Sequence, residues 1–437
     1  MSVVTRPGAA LDGRWALRRT TRAARVPPRT VLAGVLAAIV VALGLYAIAP
    51  RILPPRIYEG PLVQLTGAEG VTLVWYLTRP TACTLQVNVD GEMRSVPSTA
   101  AGVRHMARVE GLAPGRDYPY KILAGARSLT TDLSFRTSRN PDEPFAFIVF
   151  GDSGRGTRAQ YLLAAVMRTT VPAADFLLQS GDVVYPNGAR ADYEERFFAP
   201  YRHLIAAINI WPSLGNHDLG DDGTAAAYRE VFELPDNGPA GVPAEGNYWF
   251  DYASARLAVV DSNLDEVTLR DHVAPWLHAV LADPTPRWKF VVLHHPPYTG
   301  GKYKPDERIQ RTLVPVLEAT GVDLVFNGHD HNYQRTWPLR GGQVVEPGQG
   351  VVYVITGAGG ATLYEARPPR PAYVAALDDQ HWSFTHVSID EGELRLRQIA
   401  LDGSVLDEWR LSKAAMPQPP EATTAAPDDP EAVSPAP

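Results

Sequence analysis

Five short apolar runs constrain the fold of this 437-residue chain most, because each breaks off into side chains rich in oxygen and nitrogen donors. "FAFIVF" ends in "GDSG", with Asp152, and "DFLLQS" ends in "GDVVY", with Asp182 and Tyr185. "IWPSL" ends in "GNHD", with Asn216, His217 and Asp218. "KFVVL" ends in "HHPPY", with His294, His295 and Tyr298, and "VDLVF" ends in "NGHDH", with His329 and His331. Helix-length segments such as "TRAQYLLAAVMRTT" and "IQRTLVPVLEAT" lie between the runs. Near-continuous apolar strands alternating with helices predict an α/β domain. Ligands of such sheets gather just past the strand ends, so the five groups are expected at one edge.

Each member has an ordinary structural reading when taken alone. An Asp between strand and helix, like Asp152, is commonly a turn residue or cap. Gly181–Asp182 is common turn chemistry, as is an Asn beside a glycine. His294 alone could be a hydrogen-bonded core histidine, and histidines two apart can pair by chance. The coincidence of all five argues for a site. In an extended segment, residues i and i+2 share a face, so His329 and His331 can point together.

Carboxylates, imidazoles, an amide and a phenol without thiolates suit Fe, Mn or Zn. The single cysteine, Cys83, excludes an intrachain disulfide and a cysteine-based zinc site. Seven donors exceed what one tetrahedral ion takes. They fit two ions sharing a carboxylate, and two ions roughly 3.5–4 Å apart form a clamp for displacement at phosphorus. Tyr185 favours a ferric ion, because a phenol of ordinary pKa near ~10 binds as phenolate only when a strong Lewis acid displaces its proton.

The flanks are different in kind. Residues 1–30 carry seven arginines against one acid, Asp12, and read as a basic cytoplasmic leader. Val31–Ala49 is uncharged and long enough to span a membrane, so it is expected to be a transmembrane anchor. The alternative is a cleaved signal peptide ending at "AIA". Either way the bulk of the chain is expected outside the cytoplasm. Arginine far outnumbers lysine, and with abundant Ala and Pro this suggests a GC-rich bacterial genome. Net charge is −7, so no nucleic-acid-binding surface is expected. Residues 57–138 alternate in short strands and turns, the rhythm of a small all-β sandwich. Within them "LAPGRDYPYKI" resembles the tyrosine corner of fibronectin type III domains, with Tyr118 as the corner residue. Residues 416–437 hold seven prolines, four acids and no aromatic residue, and are expected to be disordered.

The ordered set "GDSG … GDVVY … GNHD … VVLH … GHDH" resembles the metallophosphoesterase (calcineurin-like) superfamily, and is most similar to the purple acid phosphatases. The resemblance extends over roughly 144–410. It implies a catalytic domain at 144–412, a β-sandwich flanked by helices. The small β domain ahead of it is also what many family members carry. Further implied are Asp152, Tyr185 and His331 as ligands of a ferric ion, and Asn216, His294 and His329 as ligands of divalent Fe, Zn or Mn. Asp182 would bridge the ions. His217 would bind phosphate or protonate the leaving oxygen, and Asp218 would support the ligands from behind. A hydroxide on the ions would attack a phosphomonoester. His295 and Tyr298 are expected to contact substrate. "TGGKYKPDERIQ" is expected to be a rim loop, whose Lys302 and Lys304 could meet anionic substrates but read first as a solvated basic loop. A phosphodiesterase on the same centre, a catalytically idle binding module and a wall-associated structural protein are the competing readings. An idle module should have lost a ligand, and none is missing. Oligomeric state is open.

Overall fold

The computed structural model describes residues 54–99, 102–170, 173–390 and 392–413, together with Leu36 and Ile39. Leader, anchor and tail therefore lie outside the described residues, apart from Leu36 and Ile39, which are helical. Among the described residues no helix is long and apolar enough to cross a membrane. The chain divides into two compact units, Met1–Pro54 and Pro55–Pro437, and the second holds every described strand.

The second unit opens with eight strands: β1 (Ile57–Gln64), β2 (Gly70–Leu77), β3 (Thr84–Val89), β4 (Glu92–Pro97), β5 (Arg104–Glu110), β6 (Asp117–Ala124), β7 (Arg127–Ser128) and β8 (Leu133–Arg136). One sheet runs β1-β2-β5, the other β4-β3-β6-β7 with β8 also on β6. In β6 the alternate residues Tyr118, Tyr120 and Ile122 are buried, as a strand with one covered face requires. The Tyr118 hydroxyl accepts the Ala113 N–H at 2.7 Å. β2 is buried on both faces. Val71, Leu73, Trp75 and Leu77 fill the sandwich, whereas Val74 and Tyr76 join the core of the α/β part. That double burial explains its continuous apolar run, and it makes the first sheet a wall shared by both halves.

The α/β part comprises β9 (Phe145–Phe150), β10 (Phe176–Gln179), β11 (Asn209–Pro212), β12 (Tyr248–Tyr252), β13 (Ala255–Val260), β14 (Trp288–Leu293), β15 (Leu324–Asn327), β16 (Tyr333–Thr336), the small hairpin β17 (Leu339–Arg340) and β18 (Gln343–Val344), β19 (Val352–Thr356), β20 (Val374–Asp378), β21 (Ser383–Asp390), β22 (Glu393–Ala400) and β23 (Val405–Ser412). Two mixed sheets result, ordered β11-β10-β9-β21-β22-β23 and β12-β13-β14-β15-β19-β16-β20. They pack face to face through aromatic rings. Phe147 meets Phe290 at 5.5 Å and Phe326 at 6.1 Å between centroids. The opposite face of β9 turns Phe150 to Tyr201 of the helix Ala199–Ile205, 5.1 Å away. The helix Arg158–Thr169 buries Leu163 and Met167 in the same core. Behind the second sheet Val291, Leu293 and Val325 pack on Leu277, Leu281 and Leu317 of further helices. The order is helices, sheet, sheet, helices.

β9, β10 and β11 run parallel, as do β13, β14, β15 and β19. The C-terminal ends of the two sheets meet where the Gly151 N–H donates to the Thr356 carbonyl at 2.9 Å. At that junction the five donor-bearing turns converge.

Candidate metal centre

Asp152, Asp182 and His329 have φ of 53°, 53° and 69°, the left-handed region that non-glycine residues seldom adopt. Each reverses the chain at a strand end and turns its side chain inward. Neighbouring glycines let the turns touch. A Cβ on Gly328 would lie 2.5 Å from Asp152 Oδ2, and one on Gly357 would lie 2.8 Å from the same oxygen.

Two donor groups form. In the first, the Tyr185 hydroxyl is 3.2 Å from Asp152 Oδ1 and 3.0 Å from His331 Nε2. Asp152, Asp182 and His331 place ligand atoms within 4.8 Å of one another. In the second, Asn216 Oδ1 lies 3.1 Å from both His294 Nε2 and His329 Nδ1. Asp182 touches both groups, since its Oδ1 is also 3.5 Å from His294 Nε2.

The donors are prepared for cations. His294 Nδ1 is 2.8 Å from the Ser180 carbonyl, and His331 Nδ1 is 2.7 Å from the Thr362 carbonyl. A carbonyl can only accept, so each Nδ1 carries the proton and each Nε2 lone pair faces the centre. Asp152, Asp182 and Asp218 are all buried. Three buried carboxylates so close require positive charge. Burial and the Asp182 charge push Asp218 up to about 7, while it accepts the Gly215 N–H at 2.9 Å and the Val184 N–H at 3.1 Å. Burial, then the charges of Asp152 and Asp182, hold the Tyr185 phenol well above its ordinary value. Only a cation would make it a phenolate. The donor set fits two hard or borderline ions.

The seven residues expected as ligands are thus brought together. His217 lies outside them, its ring 4.5 Å from that of Tyr185 and its Nε2 4.0 Å from Asp182 Oδ2. Its Nδ1 donates to the Pro186 carbonyl, which turns Nε2 toward the open side. His295 sits beside the second group, with its ring 4.6 Å from that of His329 and its Nδ1 2.9 Å from the Ser262 hydroxyl. Its ligand atom falls within 4.8 Å of those of His294 and His329.

Tyr298 corrects the expectation of a substrate contact. The two prolines before it carry the chain off, and its ring packs 4.8 Å from Tyr353 and 5.7 Å from Tyr373, in the core behind the second sheet. That burial satisfies its apolar surface away from the histidines. The rim loop is tied to the histidine turn by backbone hydrogen bonds, with Lys302 and Lys304 exposed. Asp330, between the two histidines, accepts the Lys302 N–H at 2.8 Å and the Tyr303 N–H at 3.1 Å.

Two aromatic residues were missed by sequence reasoning. Tyr303 stacks on His329 at 4.2 Å, and Tyr364 stacks on His331 at 3.9 Å and 11°. Asp330 was the available signal, because the side chain between two same-facing ligands points the opposite way and needs its own partner.

Two family models match the chain: Calcineurin-like phosphoesterase over residues 145–333, and Iron/zinc purple acid phosphatase-like protein C over 350–408. Among curated proteins, Purple acid phosphatase 4 of Arabidopsis thaliana is 25% identical over 324 residues, covering 67% of this chain and 91% of its own. Probable inactive purple acid phosphatase 24 of the same plant is 25% identical over 370 residues, covering 71% of this chain. The chain spans 58% of the length of that relative. An uncharacterised Mycobacterium tuberculosis protein is 25% identical over 324 residues, 61% of this chain and 59% of its own. Among solved structures, purple acid phosphatase PPD1 from yellow lupin (Lupinus luteus) seeds aligns with a TM-score of 0.70 at 19% identity, over 85% of this chain and 78% of that one. PhoD aligns with a TM-score of 0.59 at 13% identity, over 80% and 88%.

Proposed function

Because the chain belongs to the calcineurin-like phosphoesterases and is most like the purple acid phosphatases among them, we propose that it hydrolyses phosphomonoesters at a two-ion centre. The observation that carries the reading is Asp182, whose carboxylate lies between the Asp152–Tyr185–His331 group and the Asn216–His294–His329 group. When bound, two ions supply Lewis acidity toward a phosphoryl oxygen and lower the pKa of water. The Tyr185 phenol supports a trivalent iron at the first position, and the second group suits divalent Fe, Zn or Mn.

The chain's own residues do the rest. His217, half-exposed at the edge of the centre, turns Nε2 to the substrate side, where its imidazolium form would bind phosphate or give a proton to the departing oxygen. Asp218 fixes the Gly215–Asp218 turn through two backbone N–H groups and so aims Asn216 and His217. Ser262 orients His295 toward the substrate side. None of the seven ligand positions is replaced, which speaks against an idle scaffold. We read residues 57–138 as a fibronectin III-like module and 31–49 as a membrane anchor with the catalytic part extracytoplasmic.

Turnover of a chromogenic phosphomonoester by the metal-loaded full chain, beside an Asp182→Asn variant, tests the reading. Turnover that collapses in the variant supports it. Turnover of a diester alone would move the assignment to a phosphodiesterase. Turnover of neither would favour a binding module.

A further inference from the structure

Asp330, Asn332 and Gln334 follow His329 in alternation with His331, are buried, and bond to neighbouring loops instead of to the donors. Thr299 joins them. Its hydroxyl donates to Asp330 Oδ2 at 2.5 Å and accepts Gln334 Nε2 at 3.1 Å, and the same Nε2 lies 2.8 Å from Asn332 Oδ1. The rim loop is wrapped around Asp330. Its Oδ1 accepts both the Lys302 and the Tyr303 N–H, and a Cβ on Gly301 would lie 2.5 Å from the carboxylate carbon. One carboxylate thus fixes where Tyr303 sits. The Tyr303 ring lies along the face of His329, 4.2 Å between centroids and 26° from parallel.

His329 differs from the other ligand histidines in what holds its ring. His294 and His331 each face a backbone carbonyl through Nδ1, which fixes their rotation. His329 turns Nδ1 to the donor side, 3.1 Å from Asn216 Oδ1, and among the described residues its Nε2 makes no hydrogen bond. The neighbouring rings of His294 and His295 meet it at 76° and 53°, edge first or tilted. Tyr303 alone among the described residues lies along its face. Tyr364 stacks in the same way on His331, which already has the Thr362 carbonyl. The two plates therefore serve unequal needs.

We propose that Asp330 is a positioning residue for His329. It holds Tyr303 on the imidazole face, and that contact replaces the absent hydrogen bond in keeping the second ion bound. This rests on the two-ion reading. Partners behind a ligand are worth about ten- to a hundredfold in metal affinity, so the effect belongs to one ion of the two. His331 and its ion are held without the ring.

The test loads the full chain with zinc and counts ions per chain by elemental analysis after timed exposure to a chelator. Tyr303→Ala and Asp330→Ala are expected to release one ion at least about tenfold faster than the parent and to keep the other. Tyr303→Phe keeps the ring, and Asp330→Asn keeps an oxygen for the two N–H groups, so both should retain two ions like the parent. Tyr364→Ala should change release much less than Tyr303→Ala. In an Asn216→Ala background, where the second group is already broken, Tyr303→Ala should add nothing. Should Asp330→Ala fail to fold, Tyr303→Ala decides alone, since its ring is only partly buried. Two ions kept by Tyr303→Ala as long as by the parent, or equal loss from Tyr303→Ala and Tyr364→Ala, would overturn the proposal. A parent chain that takes up fewer than two ions would sink the two-ion reading itself, and the proposal with it.

Discussion

Glu59, on the first strand of the sandwich, accepts a 2.8 Å hydrogen bond from Nη1 of Arg190, at the far end of the loop that carries Asp182 and Tyr185. Glu59 is 2% exposed, and Arg190 also covers the Tyr76 ring and pairs with Glu230. The small β domain therefore braces the metal loop. Removing one partner of a buried pair leaves the other uncompensated, so Glu59→Ala is expected to lower stability by about 3 kcal/mol. It should also weaken metal retention roughly tenfold through the loosened loop. Denaturant unfolding and metal content after dialysis against a chelator measure the two effects. Loss of stability with full metal retention would refute the brace.

Metal removal should cost stability as well as activity, because Asp152, Asp182 and Asp218 are buried together. Chelation is expected to lower the Tm by at least about 5 °C, since ions that bind only the folded state stabilise it. Scanning calorimetry with and without chelator checks this. The gap should narrow in Asp182→Asn, where one carboxylate fewer awaits a cation.

His217→Ala should reveal its role through the leaving group. Loss of a positioned acid is expected to reduce kcat about a hundredfold or more for alkyl phosphates, whose leaving oxygens need a proton. The loss should be smaller for p-nitrophenyl phosphate, which departs as a stable anion. An equal loss on both would assign His217 to phosphate binding instead.

Tyr185→Phe keeps the ring under Arg155 and removes the oxygen from the first donor group. The variant is expected to fold and, on the proposal of trivalent iron at this position, to take up a divalent ion instead, because a phenolate is the ligand that most favours the higher charge. Elemental analysis of protein refolded with mixed metals decides it.

Acid stability should depend on a carboxylate outside the centre. Burial by itself would raise Asp407, but the Arg335 hydrogen bond and charge and the Tyr333 hydroxyl outweigh it and hold the carboxyl below its ordinary value near 3.8. A depressed carboxylate stabilises the fold fully above its unfolded pKa, and that contribution is lost as pH falls through the folded value. Between β16 and β23 this pair ties the two sheets, so stability should drop as pH falls below about 3.8. In Asp407→Asn the curve should be flatter there. Unfolding curves from pH 5 to pH 2 measure it.

The convergence of the seven donors was legible because they sit at fixed places, directly after apolar runs, where type and spacing are both local. Tyr303 and Tyr364 were not, since a ring stacking on a histidine from another loop leaves no mark in either segment. Tyr298 misled because proximity to His294 in the chain says nothing about which face two prolines turn it to. The pairing of β21 against β9 was likewise silent: Phe145 and Ile389 meet across more than two hundred residues, and alternation along a strand does not name its neighbour.

The close fit around Asp152 divides the site by how it can change through descent. At Gly328 and Gly357 even a methyl would strike a carboxylate oxygen, so drift there ends the activity. Arg155 and Lys302 lie on ring faces that other side chains could equally cover. A lineage built on this scaffold can therefore vary its outer side chains while the turns around Asp152 are inherited intact.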